Sequence, residues 1–377
     1  MSMNGYESIT LGGSAAGVPQ RRWRSTASAL VLGLITTSER VTFKVLVDRV
    51  APFRALLTVA VVVCYATVMV AVTSYKYLCT DEISAEMRKF PQAKIAGMAA
   101  LDTLQLYSMM LSASAVSPAG TVLLLQASIP LTLLLSWATQ QPAAPQAWQH
   151  LFGASLIAVS TLIATLPPVI GLVSGNDITG GVGTLVYLMS CLPASVSTLY
   201  KERALRAHAQ PMDPNYLNLC LAVYQLLISL VALPLAYRLQ AWSAYPASTL
   251  GLDIREGCAC LLADTTPSSS TSYSYPTVPH CQWALLLLFM FVFATSCINS
   301  VIDDVLTHGS ESLMYRAITA SAAVSFFVLG VSCRSAPGLL GTSITWTDSI
   351  SLAVLLSGLE IYHRATVPET EFLTEWT

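Results

Sequence analysis

Residues 122–137 read VLLLQASIPLTLLLSW, an aliphatic run that carries an amide, a hydroxyl and a proline in its middle. With its small and apolar flanks it is close to the 20 or so helical residues needed to cross the hydrocarbon layer of a membrane. Pro130 has no N–H to give, so the carbonyl of Gln126 loses its helical partner, and with Gln126 and Ser128 this makes a polar notch. Backbone exposed at membrane depth is tolerated only where it faces protein or a water-filled cavity. The stretch therefore reads as a membrane helix that lines a path. The competing reading is a packing kink between neighbouring helices.

The rest of the chain has the same character. Of 377 residues 54% are hydrophobic and only 11% charged, against about 25% charge in a soluble domain. Apolar runs of spanning length recur at 27–48, 52–77, 94–116, 119–138, 148–166, 179–201, 214–237, 283–302, 313–332 and 348–364. These are too long for barrel strands, so the pattern is an all-α polytopic membrane protein with ten transmembrane helices. A net charge of −2 gives no reason to expect nucleic acid. Nine scattered cysteines, without paired CxxC motifs or histidine at ligand spacing, give none to expect a metal or cofactor. The polar first 25 residues lack the apolar middle of a cleaved signal peptide, so the first membrane helix is the expected insertion signal.

Basic residues set the orientation. With a cytosolic N-terminus, eleven fall on the cytosolic side, among them Arg21, Arg22, Arg24, Arg88, Lys89 and Arg206; five, Arg49, Arg54, Arg238, Arg255 and Arg334, fall on the other. This is the positive-inside bias. The expected organisation is a cytosolic tail (1–25), a first five-helix half (26–168), a second (169–365) containing a lumenal loop (238–280), and a cytosolic tail (366–377). Within that loop LGLDIREGCACLLAD reads as a short amphipathic helix on the membrane, and Cys258, Cys260 and Cys281 allow one disulfide, leaving the pairing open. QASIPLTLLLSW in the fourth helix and TASAAVSFFVLG in the ninth place Ala, Ser and a later hydroxyl at the same offsets. Five helices apart is an odd number, so two such halves would sit inverted across the membrane, as in many secondary transporters.

Ionisable groups at mid-bilayer cost at least about 2.5 kcal/mol each, yet several recur. Glu39, Arg40 and Lys44 lie in the first helix, Asp102 and Gln105 in the third, Tyr224 and Gln225 in the seventh, and Tyr315 and Arg316 in the ninth. Lys201 and Glu202 end the sixth; Asn299, Asp303 and Asp304 close the eighth. One reading is a solvated central cavity whose charges bind solute and carry protons. The other is pairing as interhelical glue, Glu39 with Lys44, or Asp102 with Arg40 or Arg316. For groups at helix ends, such as Lys201, Asp303 and Asp304, simple snorkelling is favoured.

LLLQASIPLTLLLSW is similar to the LQLSIP signature in the fourth helix of the chloroquine-resistance-transporter-like family, a branch of the drug/metabolite transporter superfamily. AALDTLQ resembles its third helix, with Leu101 and Asp102 on a Leu-Asp pair. LYKERALRAHAQPMDPNYLNLCLAVYQLLISLVALPL resembles its passage from the sixth to the seventh helix, with Glu202, Asn218 and Gln225 on family positions. IREGCACLLAD resembles its lumenal segment, which places Cys260 on one disulfide cysteine and Cys281 as a partner. The resemblance covers residues 30–365 or so. It implies two inverted five-helix repeats around a central cavity, both termini cytosolic, in a vacuolar, lysosome-like or plastid membrane. It also implies transport of amino acids, peptides, glutathione-like thiols or cationic drugs, often coupled to protons.

Arg40 falls where the family has a cavity-facing residue that affects cationic drugs, and Asn299 replaces an acid, which leaves Asp303 as its substitute. The expected solute site is Glu39, Arg40, Asp102, Gln105, Gln126, Ser128, Glu202, Tyr224, Gln225, Asn299, Tyr315 and Arg316, with Asp102, Glu202 and Asp303 for the proton. The expected activity is a proton-coupled secondary transporter of small cationic or zwitterionic solutes in an acidic organelle. The alternative is a sugar-nucleotide or phosphometabolite exchanger of the same superfamily. YESI, from Tyr6 to Ile9, fits a tyrosine-based sorting signal read by adaptor proteins. TGGVGT at 179–184 lacks the lysine of a phosphate loop and reads as close packing at a helix start. No histidine lies well inside a predicted helix, so an enzyme is not expected.

Overall fold

A computed structural model describes residues 17–79, 87, 90–139, 148–175, 177–206, 213–240, 250–263, 281–308, 311–335 and 345–364. Residues 1–16, Tyr6 to Ile9 among them, residues 365–377 and most of the loop at 238–280 lie outside them, as do the side chains of Asn299, Asp303 and Tyr315. The described residues are almost wholly helical: α1 (Gly17–Arg49), α2 (Arg54–Cys79), α3 (Gln92–Ser112), α4 (Pro118–Leu125), α5 (Ser128–Ala138), α6 (Trp148–Val173), α7 (Ile178–Arg206), α8 (Pro214–Gln240), α9 (Leu250–Ala263), α10 (Ala284–His308), α11 (Glu311–Ser335) and α12 (Trp346–Arg364). Six stretches among the described residues are long and apolar enough to cross a membrane: Ala51–Cys79, Pro118–Ala138, Trp148–Val173, Ile178–Leu205, Pro214–Gln240 and Ala284–Ile302. Helices α1, α3, α11 and α12 are also long but more polar.

The notch that decides the sequence reading is a break in the helix. α4 stops at Leu125, residues 126 and 127 turn, and α5 restarts at Ser128. Across the break the backbone tightens to i→i−3 bonds, from the N–H of Gln126 to the Leu123 carbonyl at 3.2 Å and of Ala127 to Leu124 at 3.0 Å. One face of α7 supplies donors to the same segment. Tyr187, Cys191 and Ser195, four residues apart, donate to the carbonyls of Thr121, Leu124 and Ser128 at 3.3, 3.5 and 3.1 Å. The stretch is thus packed against protein, and Gln126 and Ala127 are buried.

Several sequence boundaries move: α1 starts at Gly17, inside the expected 1–25 tail and ten residues before the expected start at 27, and α10 runs to His308, six residues beyond the expected end. Residues 167–173, which fall between the expected fifth and sixth runs, continue α6 to Val173. The helix ends instead near Gly175, whose φ of +73° suits a residue without Cβ. The glycines after Asp177 bring α7 close to its neighbours: a Cβ on Gly181 would meet Leu172 Cβ at 2.4 Å, and one on Gly183 would meet Ala115 Cβ at 2.4 Å. Helix α7 then runs to Arg206, five residues beyond the expected end, because Ala204 packs with Phe90, Ile95, Met98 and Leu217 in an apolar cluster.

Small residues set the closest helix pair. α6 and α12 meet where a Cβ on Gly153 would stand 2.8 Å from the Gly358 carbonyl, and Ser160 and Ser351 donate to each other's carbonyls at 2.8 and 2.7 Å. Elsewhere α1 packs on α10 and α11, α2 on α8, and α3 on α7 and α8.

Helix α9 docks on the bundle as well as being amphipathic. Gly257 sits over Phe53 and Leu56, Tyr237 donates to Asp253, and Cys260 is bonded to Cys281 just before α10. Gln240, at the end of α8, receives the Ala55 N–H at 2.8 Å and donates to the Pro52 carbonyl, which ties α8 to the turn before α2.

Candidate functional site

A half-enclosed cavity of about 350 Å³ lies among α2, α3, α7, α8 and α10. Asp102, Gln105, Leu106 and Met109 line it from α3, and Asn218, Leu221 and Gln225 from α8. These are i, i+3, i+4 and i+7 spacings, so each helix presents a single face. Lys201 closes one side from α7, while Val61, Val62 and Tyr65 of α2 and Phe291, Val292 and Thr295 of α10 form the opposite wall. The cavity is therefore polar on one side and apolar on the other.

Asp102 is the hub of the polar side. Lys201 Nζ stands 2.6 Å from Asp102 Oδ2, Gln225 donates to the same oxygen at 3.3 Å, and Ser197 donates to Oδ1 at 2.5 Å. Ser197 and Lys201 are four residues apart, hence on one face of α7. Three helices thus converge on one carboxylate. The amides of Gln105 and Asn218 face the cavity without a hydrogen bond from a described residue.

Of the residues expected from sequence, the cavity brings together Asp102, Gln105 and Gln225. Tyr224 points away and donates to Gln92 at 3.3 Å, while Glu202 and Arg316 are on exposed positions. Gln126 and Ser128 belong to the α4–α5 break, with Ser128 donating to the Leu125 carbonyl at 3.0 Å. Glu39 and Arg40 lie along α1 away from this cavity, and Arg40 Nη1 is buried without a hydrogen-bond partner. Asn299, Tyr315 and Asp303 have side chains outside the described residues.

The cationic pairings differ from those considered from sequence. Asp102 takes Lys201 and neither Arg40 nor Arg316. Lys44, considered as a partner of Glu39, pairs with Asp48 at 2.8 Å and donates to the carbonyls of Ala113 and Val116, both at 2.8 Å. It thereby ties α1 to the turn that follows α3, where the Ala113 carbonyl also accepts the Val116 N–H at 3.3 Å. Lys201, Ser197, Asn218 and Thr295 are the site residues that sequence reasoning left out or treated as peripheral. Lys201 was set aside because the sixth helix was ended at residue 201. The Ser-x-x-x-Lys spacing was the signal that could have placed it.

Long helices, a broken span shielded by donors from a neighbour, and a solute-sized cavity with one carboxylate at its centre define a polytopic membrane protein built around a small-molecule pocket. Residues 28–362 match the model of the CRT-like, chloroquine-resistance transporter-like family, and the chain belongs to that family. It is 28% identical over 352 residues to a chloroquine resistance transporter of Toxoplasma gondii, covering 91% of this chain and 38% of the relative. It is 26% identical over 320 residues to Crt homolog 1 of Dictyostelium discoideum, covering 79% of this chain and 65% of the relative. A second protein of that organism, Crt homolog 3, is 24% identical over 311 residues, 78% of this chain and 62% of its own length. The chain thus spans between about two fifths and two thirds of the lengths of these relatives.

Proposed function

We propose that this protein is a secondary carrier that moves small zwitterionic or cationic solutes by alternating access across the membrane of an acidic, vacuolar or lysosome-like organelle. The observation that carries the reading is the Asp102 hub: a carboxylate 15% exposed beside a cavity, tied to Lys201, Gln225 and Ser197 on two other helices. A charge placed there is costly, and its contacts cross between helices that alternating access must move. Protonation of Asp102 from the acidic side would loosen the α3–α7 contact, and its release on the other side would restore it. Glu202 and Asp303 remain further candidates for proton transfer.

The packing supports ten spans in two inverted halves, counting α4 and α5 as one span and α9 as lumenal. Shifting each span by five turns the α1–α10 contact into the α7–α3 contact and maps the α6–α12 and α2–α8 contacts onto themselves. Thr132 donates to the Ser128 carbonyl at 2.7 Å, and Ser325 to that of Ser321 at 2.6 Å, at matching positions of the two halves. The basic residues favour cytosolic termini, and Tyr6 to Ile9 would then be available to an adaptor. An exchanger of sugar nucleotides or phosphorylated metabolites needs free cations in its cavity, and here Lys201 is matched by Asp102 while Lys44 is taken up by Asp48 and the turn after α3.

The test is uptake of labelled amino acids, short peptides and glutathione by proteoliposomes, with and without a proton gradient, for wild type and Asp102→Asn. Saturable, gradient-driven uptake that Asp102→Asn loses supports the carrier. Exchange of sugar nucleotides in place of these solutes overturns it in favour of the sister class.

A further inference from the structure

We propose that Lys201 sets the charge class of the solute: the cavity takes a neutral α-amino acid with an apolar side chain, bound as a zwitterion between Asp102 and Lys201, and turns away basic amino acids and organic cations. The inference rests on the carrier reading and narrows it. Lys201 and Asp102 face the cavity as a matched pair 2.6 Å apart, 30% and 15% exposed. A buried or half-buried charge that loses its partner without gaining another is strongly unfavourable. A zwitterion that enters between them gives an ammonium to Asp102 and a carboxylate to Lys201, so every charge keeps a counter-charge. A solute with only a cation would satisfy Asp102 and leave Lys201 facing a second positive charge. One with only an anion would strand Asp102 in the same way.

The remaining lining specifies the rest of the solute. Gln105 and Asn218 offer unengaged amides beside the ion pair, suited to the leftover lone pairs and protons of a carboxylate and an ammonium. Across from them Val61, Val62, Phe291 and Val292, with Tyr65 and Thr295 as the polar members, form a wall with no charge to meet a basic or acidic side chain. The volume of about 350 Å³ lies at the lower end of the ~300–1,000 Å³ typical of small-ligand pockets, which fits one amino acid better than a peptide. Insertion of the zwitterion also replaces the direct α3–α7 bridge by one that runs through the solute, so occupancy and helix contact are linked.

The experiment measures binding and uptake of L-leucine, L-phenylalanine, L-lysine and choline by the purified full-length protein, in detergent and in proteoliposomes, for wild type, Lys201→Met and Lys201→Arg. Wild type should prefer leucine and phenylalanine over lysine and choline by roughly tenfold or more, since like charges set against each other are strongly disfavoured. Lys201→Met should lose most of that preference and gain choline, and Lys201→Arg should keep it, which also controls for folding. Uptake of lysine or choline by wild type as readily as leucine overturns the inference and leaves the carrier reading standing. So does an unchanged preference in a monodisperse Lys201→Met. Absence of binding and uptake for all four overturns the inference, and exchange of phosphorylated metabolites in the same vesicles would show that the carrier reading had failed with it.

Discussion

Two lysine–aspartate pairs, Lys44 with Asp48 and Lys201 with Asp102, have nearly equal separations of 2.8 and 2.6 Å and serve opposite ends. Lys44 is 2% exposed and donates further hydrogen bonds to two carbonyls of the turn after α3, so its ammonium is held by three fixed acceptors. Lys201 is 30% exposed and meets its carboxylate across a cavity, where water or a solute can take its place. The difference lies in what surrounds the pair, since a buried pair with every donor satisfied holds helices together and a cavity-facing pair can be exchanged.

The strongest way to break the comparison is Lys44→Met. It takes the Lys44 ammonium from Asp48 and from the carbonyls of Ala113 and Val116, and removal of one partner from a buried pair costs up to about 3–5 kcal/mol. The variant should therefore be recovered poorly and melt well below wild type in detergent; a melting point equal to wild type would sink the structural role. Next comes the seam between α6 and α12. Gly153→Ala puts a Cβ 2.6 Å from the Tyr362 nitrogen and 2.8 Å from the Gly358 carbonyl, backbone atoms that cannot swing aside. Overpacking of this kind costs about 1–3 kcal/mol, to be read as lowered thermal stability without a change in solute preference.

Asp102→Asn sharpens the contrast from the other side. It should lower the melting point less than Lys44→Met does, because Lys201 is 30% exposed at the cavity and can be rehydrated, while transport falls by roughly tenfold or more. A variant that melts as badly as Lys44→Met would place Asp102 among the holding contacts instead. The smallest effect belongs to Lys76 and Asp213, 2.8 Å apart at the start of α8. Burial pushes the Asp213 carboxyl upward, but the Lys76 ammonium and the N–H groups of Tyr216 and Asn215 outweigh it and hold the carboxyl below its ordinary value. Stability from a depressed carboxyl is present above its unfolded value, near 3.9, and is lost only as pH falls through the lower folded value. Asp213→Asn should therefore cost about 0.2–1 kcal/mol equally at pH 5 and pH 7, with the gap to wild type closing only below about pH 4. A gap that closes between pH 7 and pH 5 would contradict this clasp.

Much of the architecture was legible because lipid restricts the choices. Long apolar runs in lipid can only be helices, so their positions follow from composition, and the family signature at 122–137 is carried by the same residues that separate α4 from α5. Boundaries were misread where tertiary contacts continue a helix past its local signals, as at Pro167–Pro168 and beyond Lys201. The site was legible in part. Asp102, Gln105 and Gln225 stand out as polar groups deep inside apolar runs. Lys201 does not, because its depth depends on Ala204 packing into the Phe90 cluster.

By itself, then, the sequence determined that this is a polytopic helical membrane protein of the CRT-like family, with a polar notch in the apolar run at 119–138 and polar groups too costly to be there without a partner. Tertiary structure alone decided who those partners are. A helix fixes only which of its residues share a face; whether that face meets a carbonyl, a second charge or an open cavity depends on helices far away in the chain. That is why Lys44, Lys201 and Arg40, each a cation in a helix with an acid close by in sequence, end respectively as a tie to the turn after α3, a cavity wall and a guanidinium whose buried Nη1 has no partner among the described residues.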